Sequence, residues 1–317
     1  MSRFTFLLPA FKGDFLGLML ESIKCQTYID FNVIISDDCS PEDLRSICEP
    51  YLEDSRFTYR RNKQNMGKES LVSHWNYLVN LCNSEYLILA SDDDLYDKRF
   101  LEKIFELTVK YPNTNLLRAR SCKINDIGDM YAKDSLYEEF EHSLDFVYNS
   151  FGQERIHCIG NYVFKTNALK SLGGFVDFPI GWFSDDATII SCSLDGVVNT
   201  QDVLFCFRMS QINISNSNKK NRKIAKKKID ATCSFEEWMN SFVESIIFPD
   251  TLYNRYLFKK VCERYRNRVK WQISSYYSQI DFKSLLILIK WMKSQKMFSS
   301  FKDCILFAIR WFKPTCN

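Results

Sequence analysis

Up to residue 120, short apolar runs alternate with segments that have the periodicity of helices. The apolar runs occupy residues 4–8, 31–35, 57–60 and 86–90. Between them, Phe15–Ile23 and Lys68–Cys82 repeat apolar side chains at the spacing of a helix packed on one face. Strands that alternate with helices in this way form a mostly parallel sheet with helices on its faces. The sequence therefore predicts an α/β fold.

The composition excludes several other classes of protein. Hydrophobic residues are 46% and charged residues 26% of the 317 residues, which excludes disordered, collagen-like and small disulfide-rich chains. The 12 cysteines include no C-x-x-C pair, so we expect reduced thiols in a cytoplasmic protein and no zinc ribbon. With three histidines, a histidine-rich metal site or a Ser–His–Asp triad has few candidates.

Neither a membrane-spanning helix nor a signal peptide is expected. The apolar runs at 285–289 and 304–309 each stop at a basic residue, well short of the roughly 18 apolar residues that a spanning helix needs. The first apolar run contains Pro9, leads quickly into charged residues and lacks a small-residue cleavage site.

Charge is distributed unequally along the chain. Up to Asn218 there are 21 Lys and Arg residues against 31 Asp and Glu, and after it there are 21 against 8. Residues 211–228 are rich in Asn, Ser and Lys without periodicity, which predicts a linker or loop. Residues 235–311 are helical in pattern, with basic and aromatic residues interleaved. An acidic body joined to a basic tail suggests an anionic partner for the tail.

Acidic residues follow two of the predicted strands at the point where each strand ends. Asp37 and Asp38 follow the second apolar run, and Asp92, Asp93 and Asp94 follow the fourth. Open α/β sheets bind ligands at the carboxyl ends of their strands, so both groups are expected to face one crevice. The triplet suits Mg2+ or Mn2+, which take carboxylate oxygens together with substrate phosphates. Either group is also compatible with a plain acidic turn or solvated loop.

A third acidic pair, Asp185 and Asp186, follows the aromatic segment 178–183 and precedes an apolar stretch. Acidic residues in this position cap the first turn of many helices. The alternative is that one of the two carboxylates faces the crevice as a general base, within hydrogen-bonding reach of the hydroxyl it deprotonates.

Several short patterns, in this order, resemble those of glycosyltransferase family 2 over residues 2 to 216. They are TFLLPAF at 5–11, LESIKCQTY at 20–28, ISDDCS at 35–40, NMG at 65–67, YLILASDD at 86–93, GGF at 173–175 and DD at 185–186. The resemblance implies the GT-A nucleotide-diphospho-sugar transferase fold, here with a C-terminal helical extension. It also implies an inverting, metal-dependent transfer from a nucleotide-sugar, most commonly a UDP-sugar, as in bacterial O-antigen and capsular polysaccharide synthesis.

The resemblance further implies roles for individual residues. Asp186 would be the catalytic base, with Asp185 as the second candidate. Asp93 would hold Mn2+ or Mg2+ together with Asp92 and Asp94. The nucleotide-binding residues would be Pro9, Ala10, Phe11, Asp37, Asp38, Asn65, Gly67, Lys68 and Asp92, with Asp38 on the base.

Two positions depart from the family pattern. Ala90 stands where the family often has the first Asp of its D-x-D motif. In the segment Phe207–Ser215, which resembles the pattern R-x-H-x-x-N-x-S, Ser210 stands where a His is usual. Metal binding would therefore rest on Asp92 and Asp93, with Asp94 as a spare ligand.

We expect a catalytic domain at 1–216, a basic linker at 217–230 and a helical, basic and aromatic region at 231–317. Basic residues beside Trp and Phe on amphipathic helices suit an anionic membrane surface, which predicts a peripheral protein on the inner face of the cell membrane with a lipid-linked saccharide acceptor. The alternative is that these helices pack on the catalytic domain or on another subunit.

Two other functions fit parts of the sequence. A nucleotidyltransferase also combines an α/β sheet with a carboxylate-held metal, but the loop at 9–14 lacks the Gly-rich basic pattern of that class. A nucleic-acid-binding protein would use the basic tail, and the acidic body argues against it. We therefore expect no nucleic-acid partner.

Overall fold

The computed structural model describes residues 2–152, 155–210, 221–298, 300 and 303–307. In this part of the chain, one ten-stranded sheet is flanked by helices. The strands are β1 (Phe4–Ala10), β2 (Phe31–Asp37), β3 (Phe57–Arg61), β4 (Tyr86–Leu89), β5 (Leu95–Tyr96), β6 (Leu116–Ile124), β7 (Met130–Lys133), β8 (Phe140–Glu141), β9 (Tyr162–Lys165) and β10 (Val197–Arg208). The helices include α1 (Leu16–Lys24), α2 (Leu44–Cys48), α3 (Leu71–Leu81), α4 (Phe100–Lys110), α5 (Ser143–Ser150), α6 (Thr166–Ser171), α7 (Ser184–Cys192), α8 (Arg222–Ser245), α9 (Leu252–Tyr276) and α10 (Phe282–Ser294).

The sheet has a parallel half and a mixed half. The strand order is β3-β2-β1-β4-β9-β6-β10-β5, with β7 beside β6 and β8 beside β10. The strands β3, β2, β1 and β4 are parallel neighbours, whereas β9 runs antiparallel between β4 and β6. This mostly parallel sheet between helices confirms the predicted fold class.

The central strand β1 is buried on both faces of the sheet. Leu7 packs in the core beneath α3 and α7, whereas Phe6 and Leu8 pack in the core beneath α1, α2 and α4. Because side chains alternate between faces along a strand, a continuous apolar run is the pattern expected of a strand covered on both sides. The carboxyl ends of the parallel strands are therefore the exposed edge that remains for a ligand.

The helix after β2 begins later than its sequence pattern indicates. The residues Ser40-Pro41-Glu42-Asp43 have the pattern of a helix start capped by Ser40, but α2 begins at Leu44 and is capped by Asp43, whose carboxylate accepts the N–H of Ser46 at 3.2 Å. The hydroxyl of Ser40 instead donates to the carbonyl of Phe11 at 2.6 Å. Ser40 thus joins the loops after β1 and β2, and the helix starts at the next available cap.

The helical region begins earlier than expected. The helix α8 starts at Arg222, inside the segment 217–230 that was expected to be a linker. The Asn221 side chain caps it by accepting two backbone N–H groups, and Ala225 and Ile229 are buried one turn apart. Residues 211–220 lie outside the described part of the chain. They include the expected end of the catalytic segment at 211–216 and the first residues of the expected linker, among them Lys219 and Lys220.

The C-terminal helices share a core with the sheet. Phe235 of α8, Tyr265 of α9 and Leu285 of α10 belong to the same buried cluster as Trp75 of α3 and Ile189 of α7. Much of the aromatic surface that suggested a membrane contact is therefore buried against the rest of the chain, as the alternative interpretation expected.

Among the described residues, no helix has the length and apolar character needed to cross a membrane.

Candidate functional site

The acidic loop after β4 is tied to the loop after β1. One carboxylate oxygen of Asp92 accepts the backbone N–H groups of Phe11 at 3.1 Å and Lys12 at 2.9 Å. Because β1 and β4 are parallel neighbours, these hydrogen bonds join the carboxyl ends of two adjacent strands. Burial raises the pKa of Asp92, and the two N–H donors oppose that rise by stabilising the carboxylate.

Asp93 carries the carboxylate best suited to a cation. It is half-buried, and burial together with the charge of Asp92 raises its pKa to about 6. The Arg208 side chain, from the end of β10, holds the backbone here by donating from Nε to the carbonyl of Asp93 at 2.8 Å. A divalent cation would remove the repulsion that raises this pKa, so the chemistry of the two carboxylates fits a bound metal.

Asp94 differs from the expectation that it is a spare metal ligand. Its side chain is fully buried, and its Oδ1 accepts the N–H of Arg208 at 2.9 Å. Its Oδ2 is buried without a partner among the described residues, and burial raises the pKa of this carboxyl well above its usual range. Asp94 thus links β4 to β10 from within the core, and the metal assignment rests on Asp92 and Asp93.

The described residues contain no cluster of three or more His, Cys, Asp or Glu side chains able to hold a metal by themselves. Mg2+ is commonly bound by one or two carboxylates together with substrate phosphates. Two carboxylates at a strand end match that arrangement, in which the ligand shell is completed by a substrate.

Asp38 organises the loop that precedes α3. Its Oδ1 accepts Asn62 Nδ2 at 2.9 Å and the backbone N–H of Met66 at 2.8 Å, and its Oδ2 accepts the N–H of Gly67 at 2.7 Å. A Cβ atom on Gly67 would lie 3.0 Å from Asp38 Oδ2, so any larger residue here would push the carboxylate away by a few tenths of an ångström. The structure therefore brings Asp38 and Gly67 of the predicted site together.

Asp37 has the role of a turn residue. Its side chain is fully buried, and it accepts hydrogen bonds from the backbone N–H of Ser40 at 2.8 Å and the hydroxyl of Tyr59 at 2.6 Å, and it forms an ion pair with Arg61. Burial and the hydrogen bond to Asp37 raise the pKa of Tyr59 to about 12. The sequence left open whether Asp37 forms a turn or contacts a ligand, and these contacts describe a turn.

The other predicted nucleotide-binding residues border the same edge. Pro9 and Ala10 end β1, with Ala10 in register with Asp37 of β2, and the carbonyl of Ala10 accepts the N–H of Asp38 at 2.9 Å. Asn65 stabilises its own loop, because its side chain accepts the backbone N–H of Lys68 at 2.7 Å. The exposed side chains in this group are Phe11 and Lys68.

Asp185 and Asp186 form the first turn of α7, and both are half-buried. Burial and the charge of Asp186 raise the pKa of Asp185 to about 7, and burial also raises the pKa of Asp186. Arg268, on α9, opposes both rises, and its Nε is buried without a hydrogen-bond partner among the described residues. No local pattern in the sequence indicates this long-range contact.

The acidic pair is connected to the Asp38 loop by packing. The turn before α7 lies against the start of α3, since a Cβ atom on Gly181 would lie 3.3 Å from the Leu71 side chain. The hydroxyl of Ser70, which caps α3, donates to the carboxylate of Asp177 at 3.2 Å. The loop held by Asp38 leads directly into this helix, so the two acidic sites are neighbours through α3.

A comparison with models of protein families identifies the family of the chain. The model of "Glycosyl transferase family 2" matches residues 5–168. The chain belongs to glycosyltransferase family 2. The matched residues include the loops of Asp38 and Asp92, whereas Asp185, Asp186 and the C-terminal helices lie beyond them.

Curated relatives match part of the chain. An "Uncharacterized glycosyltransferase" of Haemophilus influenzae is 30% identical over 114 residues, which are 36% of this chain and 37% of that protein. The "Uncharacterized protein y4gI" of Sinorhizobium fredii is 23% identical over 150 residues, 44% of this chain and 16% of that protein. The match thus spans well under half the length of these relatives.

Solved structures share the GT-A fold with this chain. S. aureus TarS 1–349 in complex with UDP-GlcNAc aligns with 87% of this chain and 84% of that chain, at 14% identity and a TM-score of 0.58. Mannosyltransferase PcManGT from Pyrobaculum calidifontis, in complex with GDP-Man and Mn2+, aligns with 97% of this chain and 79% of that chain, at 14% identity and a TM-score of 0.54. Both alignments cover more of this chain than the family match does.

Proposed function

We propose that this glycosyltransferase moves a sugar, with inversion, from a nucleotide-sugar to a hydroxyl of a saccharide acceptor, and that the donor is a UDP-sugar. The observation that carries the proposal is the pair of hydrogen bonds from Phe11 and Lys12 to Asp92. They set Asp93, whose pKa is raised to about 6, at the end of the parallel strands and beside the loop of Asp38. TarS binds UDP-GlcNAc and PcManGT binds GDP-Man with Mn2+, which supports a nucleotide-sugar donor for the same fold.

The donor would lie along the carboxyl ends of β1, β2 and β4. In this arrangement Asp38 keeps the Gly67 loop close to the sheet, and the exposed Phe11 and Lys68 border the base and the ribose. Pro9, Ala10, Asp37, Asn65 and Asp92 shape the backbone that receives the nucleotide.

Asp93, assisted by Asp92, would hold Mn2+ or Mg2+. When bound, the cation supplies positive charge to the diphosphate as it leaves the anomeric carbon. The chain would set the position of the cation, because Arg208 fixes the Asp93 backbone and the loop after β1 fixes the Asp92 side chain. Asp94 contributes from the core by holding the β10 end that carries Arg208.

Asp186 would act as the general base. The acceptor hydroxyl gives its proton to this carboxylate while its oxygen attacks the anomeric carbon, and the bond to the nucleoside diphosphate breaks on the opposite face. The configuration inverts because this is a single displacement in which the attacking oxygen and the leaving diphosphate lie on opposite faces of the anomeric carbon. The raised pKa of Asp185 and Asp186 favours proton acceptance near neutral pH.

The acceptor we propose is a lipid-linked saccharide of a surface polysaccharide such as O-antigen, reached from the inner face of the cell membrane. Support comes from the exposed apolar side chains of the C-terminal helices, which include Leu286 at 52%, Ile287 at 61% and Trp271 at 62% exposure. Lys283 and Lys290 are exposed on the same helix as Leu286. We retain residues 1–216 as the catalytic segment and place the start of the helical region at Arg222.

The donor can be identified by thermal unfolding of the full chain with UDP-, GDP- and dTDP-sugars, each with and without Mn2+. A ligand present at about 100 times its dissociation constant stabilises the folded state by about 2.7 kcal/mol. Stabilisation by a UDP-sugar that requires Mn2+ is the expected result. Stabilisation by none of the nucleotide-sugars would contradict the proposal, and a response to another base would change the donor assignment.

A further inference from the structure

The turn that leads into α7 has an unusual backbone. Ile180, Gly181 and Phe183 have φ values of 57°, 70° and 67°, just before Asp185 and Asp186. A left-handed conformation is natural for glycine but costly for a β-branched or aromatic residue. Such a conformation persists only where surrounding contacts hold it, so the contacts of this turn decide where the acidic pair points.

The strongest of these contacts comes from α8. The ring of Phe183 stacks on the ring of Phe235 with centroids 4.4 Å apart and planes 9° from parallel. Both side chains are almost fully buried, and Phe235 is also stacked with Trp238 on its own helix. The left-handed residue next to the acidic helix is therefore clamped by a side chain from the C-terminal region.

A second contact holds the neighbouring residue. Lys228 of α8 is 1% exposed, and its Nζ lies 4.1 Å from the ring centroid of Trp182 and 4.7 Å from that of Tyr276. Its Nζ also donates to the Tyr276 hydroxyl at 3.1 Å. A desolvated cation over aromatic faces is a strong, directional contact. Lys228 thus fixes Trp182 just as Phe235 fixes Phe183.

The remaining side of the turn is closed by the catalytic segment. Gly181 packs against Leu71 of α3, and the Ser184 hydroxyl accepts the backbone N–H of Phe178 at 3.1 Å. The turn therefore lies between α3, which follows the Asp38 loop, and α8, which belongs to the C-terminal helices. The proposed catalytic mechanism assigns no role to the contacts from α8.

We propose that Phe235 and Lys228 are positioning residues, which hold the left-handed turn at 180–183 so that Asp185 and Asp186 face the acceptor. The inference deepens the proposed function and rests on it. It gives the C-terminal helices a part in the chemical step that is independent of any membrane contact. A base displaced by about 1 Å can lose a large factor in rate although it is still present.

The test compares four variants of the full chain. Phe235→Ala removes the clamp, Phe235→Leu restores most of the apolar volume, and Lys228→Met removes the cation while keeping the length of the side chain. Phe242→Ala is the matched control, because Phe242 lies on the same helix and its ring stacks on Trp238 at 4.9 Å rather than on the turn. For each variant we would measure kcat, the donor dissociation constant and amide exchange at residues 184–188.

We expect Phe235→Ala and Lys228→Met to lower kcat about tenfold or more while the donor dissociation constant changes by less than about twofold. Phe235→Leu should recover most of the rate, and Phe242→Ala should change kcat by less than about threefold. A normal kcat in folded Phe235→Ala, equal losses in Phe242→Ala, or a parallel loss of donor affinity would overturn the inference. If Phe235→Ala does not fold, a normal kcat in Lys228→Met overturns it.

Failure of the proposed function is distinguishable from failure of this inference. A wild-type chain that neither binds nor transfers from a nucleotide-sugar refutes the function. The amide exchange still tests the clamp in that case: faster exchange at 184–188 in Phe235→Ala than in Phe242→Ala supports it, and equal exchange overturns it.

Discussion

Asp38 accepts the backbone N–H of Gly67 at 2.7 Å, and a Cβ atom on residue 67 would lie only 3.0 Å from the same carboxylate oxygen. This hydrogen bond connects the end of β2 to the loop before α3. It makes Asp38 a structural element of the proposed nucleotide site as well as a candidate contact to the base. The two roles differ in what they predict for substitution.

Asp38→Asn is expected to destabilise the folded chain. The NH2 group that replaces one carboxylate oxygen would face either the N–H of Gly67 or the donors of Asn62 and Met66, so at least one donor would lose its acceptor, at a cost of about 1–3 kcal/mol each. Urea unfolding measures the change, and donor affinity should fall as well. Asp30→Asn is the control, since Asp30 is exposed at the start of the same strand. Equal stability of the two variants would contradict the structural role.

Asp186→Asn is expected to abolish transfer while donor binding survives. The amide cannot accept the acceptor proton, so the loss in kcat should reach about 100-fold or more. Radiolabelled sugar transfer and calorimetric donor binding would be measured together. The control is Asp195→Asn, because Asp195 is exposed just beyond the other end of α7 and hydrogen-bonds Asn115. A fully active Asp186→Asn enzyme would refute the assignment of the base.

The pH dependence follows from the raised pKa values of the acidic pair. A general base works only when it is deprotonated, and burial raises the pKa of Asp186, so the fall in activity on the acidic side of the pH profile should lie above the value near 4 of an ordinary Asp. Because Arg268 lowers the pKa values of both residues, Arg268→Gln should move this acidic limb of the profile to higher pH.

The control for this profile is Arg266→Gln on the same helix. Arg266 is exposed and lies 4.0 Å from Glu236, so its charge acts elsewhere. The profile of kcat/KM would be recorded for both variants and the wild type. Coincident acidic limbs in Arg268→Gln and the wild type would show that Arg268 does not act on the base.

The parallel half of the fold was predictable because its signals are local. The runs that became β1, β2 and β4 are continuous and apolar, and Pro9 or an acidic residue follows close to each end. Residues such as Asp38 and Asp92 could be placed at one edge because parallel strands end on the same side. For this half of the fold, the spacing of side chains along the sequence is sufficient to predict the strands and the edge at which they end.

Other features depend on contacts that the sequence does not display. Asp94 was grouped with Asp92 and Asp93, but only the position of β10 shows that it points to Arg208 in the core. The stacking of Phe183 on Phe235 joins residues 52 positions apart, and a helical pattern alone cannot tell which surface an aromatic residue covers. The start of α8 was missed because its exposed lysines obscured the buried face at Ala225.

Metal binding is expected to require Asp93 and to weaken in acid. Mn2+ competes with a proton for this carboxylate, and the pKa of Asp93 is raised to about 6, so the metal should be lost as the pH falls below that value. Asp93→Asn should remove the Mn2+-dependent part of the stabilisation by UDP in thermal unfolding. Asp126→Asn serves as the control, because its side chain is exposed and its backbone carbonyl also accepts Arg208. Stabilisation by UDP and Mn2+ that persists in Asp93→Asn would exclude this ligand.

Membrane association is best tested without truncation, because α8, α9 and α10 share the core of the catalytic segment. We expect the full chain to float with vesicles that contain an anionic lipid and to remain in the dense fraction with neutral ones. Replacing Leu286 and Ile287 by Ser removes two exposed apolar side chains, each worth about 1 kcal/mol or more on burial, and should lower partitioning at least about tenfold. Leu18→Ser, on the surface of α1 at 58% exposure, should float like the wild type. If the double variant also floats like the wild type, α10 is not the membrane contact.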